Sequence, residues 1–139
     1  WLVVPTGQAL GTLAVSLPDT PETRAAVEAI RHHGLRAWKL GGARDAEVET
    51  YEVVSATPAS REFEGHVLVT SEVKAARGKR EVPAGWLVVP TGQALGNLAV
   101  YMLEPQCNDG LAAWNAFDPW MRAGKEFPVW RLMSPVEAE

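Results

Sequence analysis

The histidines are the side chains in this sequence best suited to binding a metal ion, and there are three. His32 and His33 are adjacent, so on a helix they point about 100 degrees apart and cannot easily share one ion. No HxxH, HExxH or HxxE spacing occurs. Imidazoles at a helix C-terminus favour the negative end of its dipole instead. His66 stands on the polar face at the start of a predicted strand, where solvation or a structural hydrogen bond is the default. No metal site is predicted.

Cys107 is the single cysteine and the one candidate thiol nucleophile. A helix predicted to start at Asn108-Asp109-Gly110 would favour its thiolate form, but no histidine lies near it in sequence to act as a base. One cysteine excludes an internal disulfide, a four-cysteine zinc site and a CxxC centre. Asn108 and Asp109 are interpreted as helix caps. No catalytic, cofactor-binding or metal-binding residue is assigned, and no cofactor is predicted.

A short basic cluster is the candidate for binding phosphate or nucleic acid. It comprises Lys74, Arg77, Lys79 and Arg80, flanked by Glu72 and Glu81. The flanking acids favour a solvated hairpin tip at 77–80 over a nucleic-acid surface. The formal net charge of -4 gives no general attraction for phosphates, and no glycine-rich phosphate loop is present. No nucleic-acid partner is predicted.

Length and composition are those of one globular domain covering residues 1–139. Hydrophobic residues make up 47% and charged residues 22% of the chain, which argues against disorder. No stretch is apolar enough to cross a membrane, so no membrane partner is predicted. The start at Trp1 lacks the basic leader and long apolar core of a signal peptide. The compartment stays unassigned.

An internal repeat is the strongest pattern in the sequence. Residues 1–15 recur as residues 86–100 with one difference, Thr12 against Asn97. Because the flanking residues differ at once, we interpret the repeat as a recent or deliberate (engineered) copying of one segment, the alternative being two pseudo-symmetric elements identical by chance. Each copy is predicted to form a buried strand followed by a helix. If the two copies compete for one strand position in the sheet, strand exchange between chains is favoured. This predicts a swapped homo-oligomer unless both copies find separate places in the sheet.

The remaining patterns complete an α/β (α+β) domain: a mixed β-sheet of about five or six strands with helices packed on it. A helix is predicted from Thr20-Pro21-Glu22 to His33-Gly34, with an inner stripe that includes His33. The other predicted elements are strands over 35–40, 47–56 and 66–76, a short helix after Asn108, an edge strand over 127–132 and a loose tail over 134–139.

From Gly65 to about Leu132 the chain resembles the C-terminal end of bacterial zinc carboxypeptidases of the carboxypeptidase A-like family. The densest motif is Glu-Pro-x-x-x-Asp-Gly-Leu over residues 104–111, and Trp114-Asn115 follows it. Gly65-His66, Pro83 to Gly96 and Phe127-Pro-Val also match, as do residues 24–40 upstream. Cys107 and Ala116 depart from the family pattern, as does the N-terminal copy of the repeat.

The resemblance implies a catalytic domain elsewhere in such proteins, holding zinc through an HxxE pair and a later histidine. None of these motifs has a counterpart here, so no catalytic residue is carried over. The favoured hypothesis is therefore a non-catalytic accessory domain that self-associates and whose other partner is the catalytic domain of a parent peptidase. The alternative is an active zinc carboxypeptidase or other hydrolase. A small-molecule binding module is a third possibility.

Overall fold

A computed structural model describes most of the chain. The described residues are 2–4, 8–9, 14–62, 65–91, 93, 96–103, 105, 110–112, 114–133 and 137–138. Cys107, Asn108 and Asp109, which the sequence singled out, lie outside them. None of the helices in the described ranges has the length and apolar character needed to cross a membrane.

A seven-stranded sheet forms the body of the domain. Its spatial order is β1-β4-β7-β3-β8-β5-β6, and β2 pairs with β9 in a separate two-stranded ribbon. Every pair in the large sheet is antiparallel except the outermost β1–β4 pair. The strands are β1 (Leu2–Val4), β2 (Gln8–Ala9), β3 (Ala14–Leu17), β4 (Trp38–Leu40), β5 (Arg44–Pro58), β6 (Val69–Val82), β7 (Leu87–Pro90), β8 (Trp130–Leu132) and β9 (Glu137–Ala138).

Helices are few in the described chain. A 3-10 turn over Pro21–Thr23 leads into α1 (Arg24–His32), and α2 covers Gly96–Leu103. A second 3-10 turn spans Asp118–Trp120. The predicted sheet with helices packed on it is confirmed in outline, but the sheet dominates and is antiparallel over six strands. The parallel β1 is what makes it mixed.

The two copies of the repeat adopt different structures, which corrects the expectation of one strand-helix unit in each. The strand at the start of each copy is present, as β1 and β7. The identical Ala-Val pair, however, is strand at Ala14-Val15 and helix at Ala99-Val100. The difference follows from the next residue. Ser16 is fully buried and donates a hydrogen bond to the Leu87 carbonyl at 2.8 Å, and tyrosine, its counterpart in the second copy, is too large for that position.

Both faces of the sheet are buried at β7, as its continuous apolar run predicts. Leu87 and Val89 pack with the two helices, while Val88 faces the other side among Leu40, Val48 and Trp130. All three β7 residues are fully buried. β7 also lies between β4 and β3, so the second copy of the repeat holds an interior position, whereas β1 holds the outer edge.

The stretch 77–80, predicted as a turn, is instead part of β6, and the chain turns at Pro83–Gly85. The reason is long-range pairing: β6 follows β5 along its whole length, with Arg77 opposite Glu49 and Lys79 opposite Glu47. Opposite charges directly across two strands stabilise the pair. They outweigh the local turn signal of Gly78.

Helix α1 follows its sequence signals except at one residue. The Thr23 hydroxyl donates to the Pro18 carbonyl at 2.6 Å at the start, and Gly34, with φ of 72°, ends it. Ala26, Val27 and Ile30 are buried. His33, expected on the inner stripe, is exposed. Its Nδ1 lies 2.8 Å from the Ala29 carbonyl oxygen, which places it at the C-terminus of the helix.

The C-terminal third differs from expectation in three places. β8 is an interior strand between β3 and β5, not an edge strand, because buried Trp130 and Leu132 need neighbours on both sides. The described residues of 110–117 form turns and no regular helix. Within 134–139, Glu137–Ala138 pairs with Gln8–Ala9.

Candidate interaction site

A fixed polar cluster joins two distant loops at the surface. It consists of His66, Trp114, Asn115 and Asp118, and we refer to it as the His66 cluster. The Nδ1 atom of His66 lies 3.1 Å from Asn115 Oδ1. Asn115 Nδ2 donates to the Val67 carbonyl at 2.8 Å and to Asp118 Oδ1 at 3.2 Å. The asparagine therefore ties the loop before β6 to the loop after α2.

The hydrogen-bond network assigns the proton on His66. An amide oxygen only accepts, so Nδ1 must carry the hydrogen that points at Asn115. In the neutral ring the exposed Nε2 is then an acceptor. The ring also meets Trp114 edge-on, with centroids 5.4 Å apart. The cluster thus presents an oriented acceptor beside an aromatic surface.

Asn115 holds the one left-handed non-glycine backbone among the described residues, with φ of 76°. Asparagine tolerates this region better than most residues, and glycine adopts it freely. A non-glycine residue in this conformation is often found at a functional site.

Substitution of Asn115 should separate the contribution of its side chain from that of its backbone. Asn115→Gly keeps the conformation and loses the hydrogen bonds, so we expect about 1 kcal/mol of lost stability. Asn115→Ala should lose a further 1–2 kcal/mol, roughly, because of its Cβ in the left-handed region. Urea denaturation measures both. Equal losses in the two variants would contradict the assigned backbone conformation.

A second polar surface lies on the β5–β6 ribbon, beside a cleft of about 330 Å³. The cleft is lined by Thr50, Glu52, Lys74, Ala76, Gly124 and Glu126. The backbones of Glu52 and Glu126 pair in an isolated antiparallel β-bridge. Glu126 is paired with Arg80, whose guanidinium lies 4.4 Å from the Trp130 ring centroid. Carboxylates and cations alternate around this open cleft.

On the other face of the β5–β6 pair, neighbouring side chains lower the pKa of Glu49. Arg77 Nε donates to its Oε2 at 2.9 Å and the Tyr51 hydroxyl donates to its Oε1 at 3.0 Å. The Arg77 hydrogen bond is the main reason that the pKa of Glu49 lies below its ordinary value. Partial burial opposes this shift, and the Tyr51 bond and the charge of Arg131 add to it.

Arg77→Gln should therefore destabilise the protein in a pH-dependent way. Since the folded-state pKa of Glu49 is lowered, the stabilisation is present above the ordinary glutamate pKa and is lost as pH falls through the folded value. At pH 7 we expect about 0.5–1 kcal/mol, because the Arg77 side chain is 63% exposed. Urea midpoints from pH 7 to pH 3 measure it.

Arg61→Gln is the control for that experiment, since it removes an exposed charge with no ion pair in the described structure. A gap between wild type and Arg77→Gln that stays constant down to pH 3 would contradict the role of Glu49.

The histidines predicted not to bind metal are dispersed. His32 Nε2 lies 3.8 Å from Glu28 Oε2 on the same helix, His33 caps α1, and His66 lies in its own cluster. Within the described ranges, no three His, Cys, Asp or Glu side chains come together as a metal site would require. The default expectation of a structural hydrogen bond for His66 agrees with its geometry.

The sequence did not connect His66 with Asn115, because the two are 49 residues apart and no local pattern relates them. The Asn115 to Asp118 spacing was the one local signal, since asparagine and aspartate favour turns. The basic cluster was recognised, but its place along an edge strand was not.

Comparisons with known proteins address the ancestry. Carboxypeptidase 2 of Trichophyton equinum is 31% identical over 106 residues, covering 76% of this chain and 19% of the fungal protein. Carboxypeptidase 2 of Trichophyton tonsurans is 30% identical with the same coverage. This chain contains a carboxypeptidase-related region.

The chain spans about a fifth of the length of the curated relatives it matches. Both relatives are fungal, so they lend no support to the bacterial lineage that the sequence suggested. No protein-family model and no solved structure matches the chain. The carboxypeptidase relationship therefore rests on distant similarity to one part of each fungal protein.

Proposed function

We propose that this chain is a non-catalytic accessory domain of a larger carboxypeptidase-related protein. The observation that carries the proposal is the uneven coverage: the match takes in most of this chain and 19% of each fungal protein. A zinc peptidase needs three protein ligands, an open coordination position and a general base. In this proposal those groups belong to the part of the parent protein that this chain does not match.

The His66 cluster is the surface through which such a domain would contact its catalytic partner. Its hydrogen bonds hold the imidazole in place before binding, and the Trp114 ring packs edge-on against it. A preorganised surface loses less entropy when it binds than a mobile one. Aromatic rings that carry a polar neighbour are also typical of interface centres.

Hydrolysis by the purified chain tests the proposal. The chain is incubated with zinc and a peptide that has a free C-terminus, and mass spectrometry follows removal of the last residue. We expect no shortening, while a known zinc carboxypeptidase in the same buffer shortens the peptide. Turnover together with stoichiometric zinc that resists dialysis would overturn the proposal and favour the alternative, a zinc metallocarboxypeptidase.

The two copies find separate places in one sheet, as β1 and β7, but we also propose that the duplicated segment supports self-association by segment exchange. Leu2–Val4 pairs in parallel with β4 on one side, and Leu87 and Val88 of the identical segment pair antiparallel with β4 on its other side. A recent or deliberate copying of the segment would have added the outer strand. Because that strand is short and at the edge, the same segment of a second chain can replace it at little cost.

Size-exclusion chromatography with light scattering tests the exchange. We expect a dimer fraction that grows with protein concentration and exchanges slowly. A monomer at every concentration would show that both copies stay in one enlarged sheet.

A further inference from the structure

Strand β6 forms the edge of the sheet opposite β1. It pairs with β5 along its length, and no other described strand pairs with it. The beginning of β6 is covered, since Ser71 is buried and donates to the Pro105 carbonyl at 2.9 Å. From Lys74 to Glu81 every residue except Gly78 is exposed. This stretch therefore leaves one side of its backbone hydrogen-bonding groups open for a further strand.

The exposed stretch is strongly basic. Lys74, Arg77, Lys79 and Arg80 fall within seven consecutive positions that contain no acid; we call this stretch the basic edge. Between its cations lie alanines and a glycine, whose small side chains let another backbone come close.

The known neighbour of the basic edge shows which strand suits it. On β5, Glu52 lies opposite Lys74, Glu49 opposite Arg77 and Glu47 opposite Lys79. An antiparallel strand added on the open side meets the same residues in the same register. Acids at the same spacing would therefore meet the same cations.

A second copy of this chain does not suit the basic edge. If two β6 strands paired antiparallel with Arg77 opposite Arg77, Lys74 of each chain would lie opposite Arg80 of the other. Like charges directly across a strand pair destabilise it, and cations on an edge strand are a common protection against edge-to-edge pairing. Pairing of two β6 strands in this register is therefore disfavoured.

We propose that the basic edge binds an extended acidic peptide segment of another protein by strand addition. Backbone hydrogen bonds give such complexes their affinity and the side-chain register gives their specificity. The proposal favours a peptide over a nucleic acid because every cation of the basic edge already lies opposite or pairs with an acid of the chain. The net positive charge offered to a phosphate backbone is therefore small. It does not depend on the proposed carboxypeptidase relationship.

Binding of a synthetic peptide tests the proposal. The probe is a capped, fluorescent eight-residue peptide whose glutamates have the spacing of Glu47, Glu49 and Glu52, and anisotropy of the full chain with the probe gives Kd. We expect binding to weaken with added salt. In the variant carrying Lys74→Glu and Lys79→Glu, Kd should rise at least tenfold. A variant with Lys74→Gln and Lys79→Gln should show an intermediate loss.

Two controls separate strand addition from charge attraction. The variant with Arg61→Glu and Arg122→Glu makes the same change in net charge outside the basic edge, and it should bind within twofold of wild type. A probe with alternate backbone amides N-methylated keeps its glutamates but loses donors, and it should bind at least tenfold more weakly. Equal binding of the methylated probe, equal loss in the control variant, or tighter binding of a single-stranded oligonucleotide would overturn the proposal.

Discussion

Phe127→Ala is expected to lower the free energy of unfolding by about 3–5 kcal/mol, the cost of emptying a fully buried aromatic site. The Phe127 ring is fully buried and meets Phe117 edge-on, with centroids 4.8 Å apart. Its backbone N–H also donates to the Tyr51 carbonyl at 2.7 Å. Domains are commonly stable by about 5–15 kcal/mol, so the variant loses a large share of its stability. Urea denaturation followed by circular dichroism measures the change.

The same substitution should also loosen the His66 cluster. Phe117 lies two residues after Asn115, and its packing against Phe127 holds that loop on the sheet. We expect the NMR signals of the His66 ring to broaden or shift in Phe127→Ala. Val54→Ala is the control, because Val54 is 49% exposed and surface changes are usually within about 0.5 kcal/mol. A loss below about 1 kcal/mol for Phe127→Ala is what a surface substitution gives, and it would show that the ring is not in the core.

The parts of the fold that the sequence predicted are those set by local residues. The apolar run of β7 predicted a strand buried on both faces, and Leu87, Val88 and Val89 are fully buried in the sheet. The helical segment begins at Pro21, as a 3-10 turn that leads into α1, and it ends before Gly34. In each of these cases neighbouring residues alone determine the conformation.

Long-range contacts decided the elements that the sequence missed. The Ala-Val pair is a strand at Ala14-Val15, where the next residue, Ser16, fits in the buried position beside β7, and a helix in the second copy, where tyrosine follows. The stretch around Gly78 is extended because the acids of β5 lie opposite its cations. The His66 cluster likewise needs Asn115, which only folding brings near. None of these partners is visible within a local window of sequence.

Val88→Asp and Val3→Asp place the same change at equivalent positions of the two copies, and we expect very different results. Val88 is fully buried in an interior strand. An unpaired carboxylate there should cost more than about 4 kcal/mol and prevent folding. Val3 lies in the outermost strand, which among the described strands pairs with β4 alone, so we expect Val3→Asp to cost less than Val88→Asp. Circular dichroism and urea denaturation compare the two.

Val88→Thr keeps the difference measurable if Val88→Asp does not fold at all. It preserves the shape of the side chain and adds one hydroxyl, which should cost about 1–3 kcal/mol at the buried site. Val3→Thr should cost less, because its strand has one neighbouring strand among those described. Equal losses at both positions would mean that the two copies occupy equivalent places, which would remove the basis for an outer strand that exchanges and an inner strand that does not.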